Sequence, residues 1–578
     1  EEEDDDEFVI DEGEEEEEQE DEDEEYGSDD EEDESDEEEY ESGEEEDDDE
    51  FEDDADVDRP FVRTAPNHMA RMRKHMDAVV KVHCMHTEPN YSLPWQRKRE
   101  YSSNSTGFLI EGSKGQRWLL TNAHSVEHHT QVKVKRRGDD RKFVAKVLAV
   151  AFECDIAMLT VEDEEFYEGV EPVTFGSLPN LQDAVAVVGY PLGGESISVT
   201  SGVVSRIEVT PYAHSSHELL GVQIDAAING GNSGGPVFNE AGECIGIAFQ
   251  AMGGDAENIG YVIPTPVIEH FLTDYKRNGH YSGFPSVGIR WQKMESDALR
   301  ASLKMKKDQK GVMVRSISPT SDAYKHLKEN DIIVKFDGIQ IACDGSVPFR
   351  SGERMAFGHL VSRRYAGERI ELEVLRKGRL RKVTVRVDAH QPLMRLHDDG
   401  NDPSYLVVAG LLFTVCSEPY LLSEYGEDYG TESPTKLLER LEYGYKQTLD
   451  EEIVVLSQVL ACDATLGYES HYNAMVTKCN GVEVRNLRHL ATLIWECTDD
   501  FVSMTLAKGD VIVLETAAIE ESTQEILKSH AIPSPTSPDL ADVFAAPKPK
   551  KSTRKLKKGQ TRRATGRNKA RRRVKANP

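Results

Sequence analysis

Between residues 78 and 268 the apolar positions fall in short runs separated by turn-forming clusters. Such runs occupy 78–84, 143–150, 156–161, 184–190, 202–207, 220–224 and 244–249, and Gly189-Tyr190-Pro191 and Gly193-Gly194 interrupt them. Short strands at this spacing, punctuated by Gly and Pro, predict an all-β barrel or sandwich. Helical periodicity appears only over 266–277, which predicts one closing helix.

After Gly283 the pattern changes, and 286–388 and 404–516 read as two versions of one module. The first carries Gly311-Val312-Met313-Val314 and then an apolar run that meets Asp337-Gly338 and resumes as Ile339-Gln340-Ile341. The second carries Ile453-Val454-Val455-Leu456 and then a run that meets Asn480-Gly481 and resumes as Val482-Glu483-Val484. Asp-Gly or Asn-Gly between alternating apolar positions predicts a hairpin. Each hairpin precedes a helix-like stretch, 355–364 and 487–495, and the second copy carries an insertion over 424–450. The longest apolar run, 405–415, is shorter than the ~20 residues that cross a bilayer, so no membrane partner is expected.

Charge changes the picture only at the ends. Of 108 acidic residues, 43 lie in 1–58 with no Lys or Arg among them, and 15 of the 67 basic residues lie in 548–578 with no Asp or Glu. The residues between carry −13, ordinary for a folded body. The acidic end is expected to be disordered, either a solvating bristle, or a lure for basic proteins or a brake on binding nucleic acid. The basic end shows no apolar face of the kind a membrane-surface helix needs. It reads as a nuclear or nucleolar address, an RNA contact, or a solvated tail. Eight scattered cysteines without a C-x-x-C pair suit free thiols in a reducing compartment, and close-paired zinc ligands are missing. His124 and His128 stand four apart, but no carboxylate or thiol cluster completes a metal site, so no metal or cofactor is expected. The first residue is not Met, which leaves room for a removed leader.

The candidate chemistry starts at Gly230-Gly231-Asn232-Ser233-Gly234-Gly235-Pro236, where glycines force tight turns and leave space around a hydroxyl. Alone, this is equally an ordinary glycine loop. Its G-x-S-x-G spacing also fits the nucleophile elbow of α/β-hydrolases, which needs a helix directly after the serine and a later histidine. Here 236–238 and 244–249 predict a hairpin instead. Upstream, His124 follows the apolar Trp118-Leu119-Leu120, and Asp155 stands at the mouth of Ile156-Ala157-Met158-Leu159. Each alone suits a structural histidine or a turn aspartate. Together they give the order His, Asp, Ser with gaps of 31 and 78 residues, the chymotrypsin order. Ser233 would be the nucleophile, His124 the base that takes and returns its proton, and Asp155 the group that fixes the imidazole. The N–H groups of Gly231 and Ser233 would form the oxyanion hole.

Thr121-Asn122-Ala123-His124, Cys154-Asp155-Ile156-Ala157 and Asp225-Ala226-Ala227-Ile228-Asn229, followed by Gly231-Asn232-Ser233-Gly234-Gly235-Pro236, resemble the HtrA/Deg (protease Do-like) family. Pro94-Trp95-Gln96-Arg97-Lys98-Arg99 and 190–206 look like its plant and algal branch, particularly the nuclear type. The resemblance covers about 70–530 and leaves both charged ends outside. It implies a mainly β chain with a chymotrypsin-like double barrel (70–278) and two PDZ-like α+β domains (284–390 and 395–530), to which the charge pattern adds disordered tails (1–65 and 536–578). It further implies trimers or hexamers that degrade unfolded, damaged or regulatory proteins without ATP. Independently, the chain lacks a G-x-x-x-x-G-K-[ST] loop for nucleotide-driven unfolding.

Ala227 stands six residues before Ser233, where a trypsin-like enzyme would place an acid. An apolar pocket bounded by Ile228 and the strand Ile247-Ala248-Phe249 is expected, favouring small or medium aliphatic side chains. In the first PDZ-like module, Ser286-Val287-Gly288-Ile289 is the candidate carboxylate-binding loop. Ala409-Gly410-Leu411-Leu412-Phe413 is the counterpart in the second, which the resemblance lets serve assembly instead. Two rival readings stand beside the protease: a PDZ scaffold or holdase chaperone with an idle site, and a nucleic-acid-associated protein working through its basic tail. The expected compartment is the nucleus, possibly the nucleolus, or the chloroplast if a transit peptide has been removed.

Overall fold

The computed structural model describes Met72 and residues 74–545, apart from 213, 214, 216 and 252–258. The charged ends 1–58 and 548–578 lie outside the described residues, whereas 536–545, expected as the start of a disordered tail, is described and turns into a short helix over Ala541–Ala545.

Two closed barrels come first, all their pairings antiparallel. In the first, β1 (Val79–His86), β2 (Tyr101–Glu111), β3 (Arg117–Thr121), β4 (His129–Arg136), β5 (Lys142–Ala151) and β6 (Ile156–Val161) close in the order β1-β2-β3-β6-β5-β4. The period-two pattern drives this closure: Val132 and Val134 of β4 are buried while Gln131, Lys133 and Lys135 between them are not. In the second, β7 (Ala184–Gly189), β8 (Ser198–Pro211), β9 (Glu218–Ile224), β10 (Pro236–Asn239), β11 (Cys244–Ala251) and β12 (Gly260–Pro264) close in the order β10-β11-β12-β9-β8-β7. Val187, Val204, Val222, Ile224, Val237 and Val262 share one buried cluster there. The expected hairpin after Ser233 is β10–β11. Helix α1 (Thr265–Asn278) follows, with proline in its first turn, where a missing N–H leaves no bond unmade. Gly279 ends it at φ 75° by returning its N–H to the Tyr275 carbonyl. All eight cysteines are free.

The first PDZ module holds β13 (Ile289–Gln292), β14 (Val312–Ile317), β15 (Ile332–Phe336), α2 (Gly358–Ser362), β16 (Arg369–Arg376) and β17 (Arg379–Arg386), the strands ordered as numbered. The second holds β18 (Tyr405–Val408), β19 (Leu411–Val415), α3 (Glu418–Tyr425), α4 (Thr435–Tyr443), β20 (Val454–Val459), β21 (Ala474–Cys479), α5 (Leu487–Trp495), β22 (Phe501–Leu506) and β23 (Val511–Glu515), its strands likewise in order. The expected hairpin turns form at Asp337-Gly338 and Asn480-Gly481, both pairs at positive φ, as a type I′ turn requires. The 424–450 insertion contains α4.

The modules differ at one edge. Strand β13 stands at the border of its sheet, whereas its counterpart β19 already has β18 on that side. Ala409 and Gly410, at φ 46° and 90°, turn the chain between β18 and β19. The outer edge of β18 is covered in turn: Val407 N–H donates to Pro535 (2.8 Å) and Ser537 N–H to Tyr405 (3.0 Å). The packed module therefore runs past residue 530, with Thr536, Ser537 and Leu540 buried. Strand addition on β19 is closed to an outside peptide by the chain itself.

Specific contacts tie the modules to the barrels and to each other. The imidazole of His270 on α1 donates from Nε2 to the Arg364 carbonyl (2.7 Å) and stacks between Phe284 and Tyr365. Arg290 of β13 donates to the Glu442 and Tyr443 carbonyls, capping the C-terminal end of α4. Ser92 of the first barrel donates to Glu424 of α3 (2.6 Å).

Candidate active site

His124 lies just beyond β3 and Asp155 just before β6, so neighbouring strands of one barrel bring them together. Asp155 takes φ 51° and ψ 45°, a left-handed conformation that short polar side chains tolerate better than most. Its carboxylate accepts twice from the same residue: Oδ2 from His124 Nδ1 (2.8 Å) and Oδ1 from the His124 backbone N–H (3.0 Å). Asn122 Nδ2 adds a bond to the Asp155 carbonyl (2.9 Å). A carboxylate partner assigns the proton to Nδ1, which makes Nε2 the basic nitrogen of the neutral ring. Burial works against charge on His124, but the charge and hydrogen bond of Asp155 outweigh it and hold the imidazole above its ordinary 6.5.

Ser233 sits in the loop between β9 and β10, on the other barrel. In a trans peptide the C=O and the following N–H point to opposite sides. The Gly230 carbonyl accepts from Leu192 N–H (2.8 Å), which turns the Gly231 N–H the other way. The Asn232 carbonyl accepts from Gly235 N–H (2.9 Å), which does the same for the Ser233 N–H. Gly234, at φ 85°, seats this loop against the strand leading to His124. A Cβ there would lie 2.1 Å from the Thr106 carbonyl and 2.5 Å from Thr121 Oγ1. The structure thus brings the Ser233 loop against the β2 and β3 segments beside His124.

The residues expected to bound the specificity pocket divide. Ile228 and Ala248 share the second barrel's cluster, while Ile247 and Phe249 face the opposite way, into the core that holds Phe271. Period-two geometry forbids a strand from presenting all three of Ile247, Ala248 and Phe249 to one pocket. Ala227 is half-buried and its carbonyl accepts from Thr200 Oγ1 (2.8 Å). In the first PDZ module, Val287 is buried in the core, and Gly288, at φ 72°, donates to Ser286 Oγ (3.0 Å). Ser286, Gly288 and Ile289 line a crevice of about 650 Å³ shared with α4 and the Tyr445 segment.

Two neighbours of the site carry no sequence signal. Glu127 shares a cavity of about 510 Å³ with His124, Asp155, Glu88, Glu418 and Glu427. Burial, reinforced by the Asp155 charge, pushes its carboxyl up to about 7. Thr106 of β2 is fully buried against the Ser233 loop. Among the described residues no three His, Cys, Asp or Glu side chains are grouped to hold a metal.

Similarity to known proteins agrees with this architecture. Residues 105–247 match the model of a trypsin-like peptidase domain, and 285–387 and 394–539 each match a PDZ domain. The chain is 53% identical over 473 residues to Protease Do-like 2, chloroplastic, of Arabidopsis thaliana, covering 82% of this chain and 76% of the relative. It is 41% identical to Putative protease Do-like 3, mitochondrial, from the same plant, covering 80% of each. Protease Do-like 4, mitochondrial, is 40% identical, over 79% of this chain and 84% of that protein. The chain belongs to the Do-like protease family. It is a mainly β serine endopeptidase of the HtrA type, with a two-barrel protease domain and two PDZ domains. The nuclear compartment expected from the basic tail is corrected by these relatives. These three Do-like proteases, 40–53% identical to it, are named chloroplastic or mitochondrial, which points to an organelle rather than the nucleus. A basic cluster attracts phosphates wherever they lie, so its composition does not specify an address.

Proposed function

We propose that this Do-like protease cleaves unfolded or damaged proteins without ATP, through His124, Asp155 and Ser233. The observation that carries the reading is the double grip of one buried carboxylate on His124, which fixes the ring with Nε2 as its base. Ser233 Oγ attacks the substrate carbonyl carbon while Nε2 takes its proton, and Asp155 stabilises the resulting imidazolium. Negative charge gathers on the carbonyl oxygen, where the Gly231 and Ser233 N–H groups donate. Nε2 then gives its proton to the leaving amine, and the acyl-enzyme forms. Water, deprotonated by the same nitrogen, releases the new carboxylate and restores Ser233. Ala227, Ile228 and Ala248 would bound the specificity pocket this reading needs, which would favour small or medium aliphatic side chains. The edge strand β13, beside Ser286-Val287-Gly288-Ile289, accepts a substrate C-terminus by strand addition. The enzyme works as a homo-oligomer, a trimer or hexamer, which light scattering of the full chain measures.

The test compares wild type with Ser233→Ala on unfolded casein. Loss of the nucleophile lowers turnover by on the order of 10⁶. Equal cleavage by both proteins would end the assignment.

A further inference from the structure

The Ser233 loop contains two adjacent glycines, Gly230 and Gly231, the latter at φ 92°. Backbone of this kind resists rotation weakly, because no Cβ restricts it. The orientation of the Gly231 peptides therefore depends on their hydrogen bonds, one inside the loop, from Asn232 N–H to the Asn229 carbonyl (3.0 Å), and two from outside it. Leu192 N–H holds one carbonyl, that of Gly230. The other, that of Gly231 itself, accepts from the hydroxyl of Thr106 (2.7 Å).

Thr106 belongs to β2, in the other barrel, and none of it reaches solvent. Its hydroxyl is fully engaged. The oxygen accepts from Tyr190 N–H (2.8 Å), and since an N–H can only donate, the single hydroxyl proton is committed to Gly231. Its backbone N–H donates to the Ser233 carbonyl (2.9 Å), and its carbonyl accepts from Thr121 Oγ1 (2.7 Å), three residues before His124. One residue thus holds both amino acids whose N–H groups face the substrate oxygen, and is itself held by the strand that leads to the base. Any buried residue would need partners for its backbone, but the two bonds of the hydroxyl are ones that a residue buried for packing alone would not make.

We infer that Thr106 is a positioning residue of the hydrolysis, its hydroxyl reaching from the first barrel to keep Gly231 oriented as an oxyanion donor. The inference rests on the oxyanion role given to Gly231 and Ser233 above. Valine matches threonine in shape but offers Gly231 no proton and Tyr190 no acceptor. Serine keeps both.

The experiment uses the full chain and a fluorogenic peptide taken from a casein cleavage site. It measures kcat, KM and the affinity of a peptide boronate of the same sequence, whose tetrahedral adduct occupies the oxyanion position. Thr106→Val is expected to lower kcat about 100-fold, the size of a lost oxyanion donor, with KM within about twofold. Boronate affinity falls in the same proportion, and Thr106→Ser returns kcat to within about threefold of wild type. Should the valine variant fail to fold, Thr106→Cys, with a weak donor of similar size, takes its place and must fall between serine and inactivity. Unchanged kcat in Thr106→Val, or in Thr106→Cys where that stands in, would overturn the inference while leaving the triad intact. So would a loss that serine does not rescue. A wild type no faster than Ser233→Ala would instead remove the triad reading, and this inference with it.

Discussion

The two halves of the proposed active site are held by different kinds of force. The base half is ionic and compact: one buried carboxylate makes two bonds to one histidine, both supplied by neighbouring strands of the first barrel. The nucleophile half is made of backbone, a glycine-rich loop of the second barrel held by hydrogen bonds and close approaches from elements on both sides. Charge and pH should therefore govern the first half, and added atoms or lost anchors the second.

Asp155→Asn strikes the base half hardest. An amide of the same shape can favour the wrong imidazole tautomer, and kcat is expected to fall about 10⁴-fold with the melting temperature little changed. Steady-state kinetics beside calorimetry checks this, and a fall below tenfold would show that His124 does not depend on its grip. Gly234→Ala strikes the other half. The new Cβ meets the Thr106 carbonyl at a φ that L side chains rarely adopt, so destabilisation of about 3 kcal/mol or more is expected. Urea titration reads it, and a wild-type midpoint would mean that the loop is not seated as described.

The pH profile separates the halves more gently. His124 is held above 6.5 and must be neutral to act, so kcat/KM should rise along a limb centred above pH 6.5. Thr106→Val should lower that limb without moving it, since it touches only the nucleophile half. Glu127→Gln gives the smallest effect. Ionised Glu127 supports the imidazolium, so removing its charge should move the limb down by a few tenths of a pH unit. Its own folded value, about 7, lies above its ordinary 4.5. The folded chain keeps that proton longer than the unfolded one and loses stability as pH rises from about 4.5 to 7. Glu127→Gln should therefore be more stable than wild type, relative to pH 5, when both are melted at pH 8.

The base half was legible because its residues, each ordinary alone, follow a known order with the serine. The Ser233 loop was legible from its glycines, which only tight backbone requires. Thr106 was not, since a threonine in an alternating strand looks the same whether its hydroxyl faces another barrel or its own neighbours. Glu127 likewise gains its unusual carboxyl from burial and from the charges of Asp155, Glu88 and Asp398, distant in sequence, which no local pattern reveals. The PDZ repeat was visible in two Asx-Gly turns, and α5 spans the helix expected over 487–495. The apolar run 405–415 concealed a hairpin, however. Its first strand lies where the first module leaves an edge open, and periodicity cannot say which partner a strand will choose.

The central claim, that Ser233 is the nucleophile aligned by His124, is tested most directly by covalent labelling. The full chain is treated with a fluorophosphonate and the adduct located by peptide mass spectrometry. One phosphonylated residue, Ser233, is expected, formed at least 100-fold faster in wild type than in His124→Ala. An adduct on another serine, or casein cleavage that persists after Ser233 is fully labelled, would contradict the account.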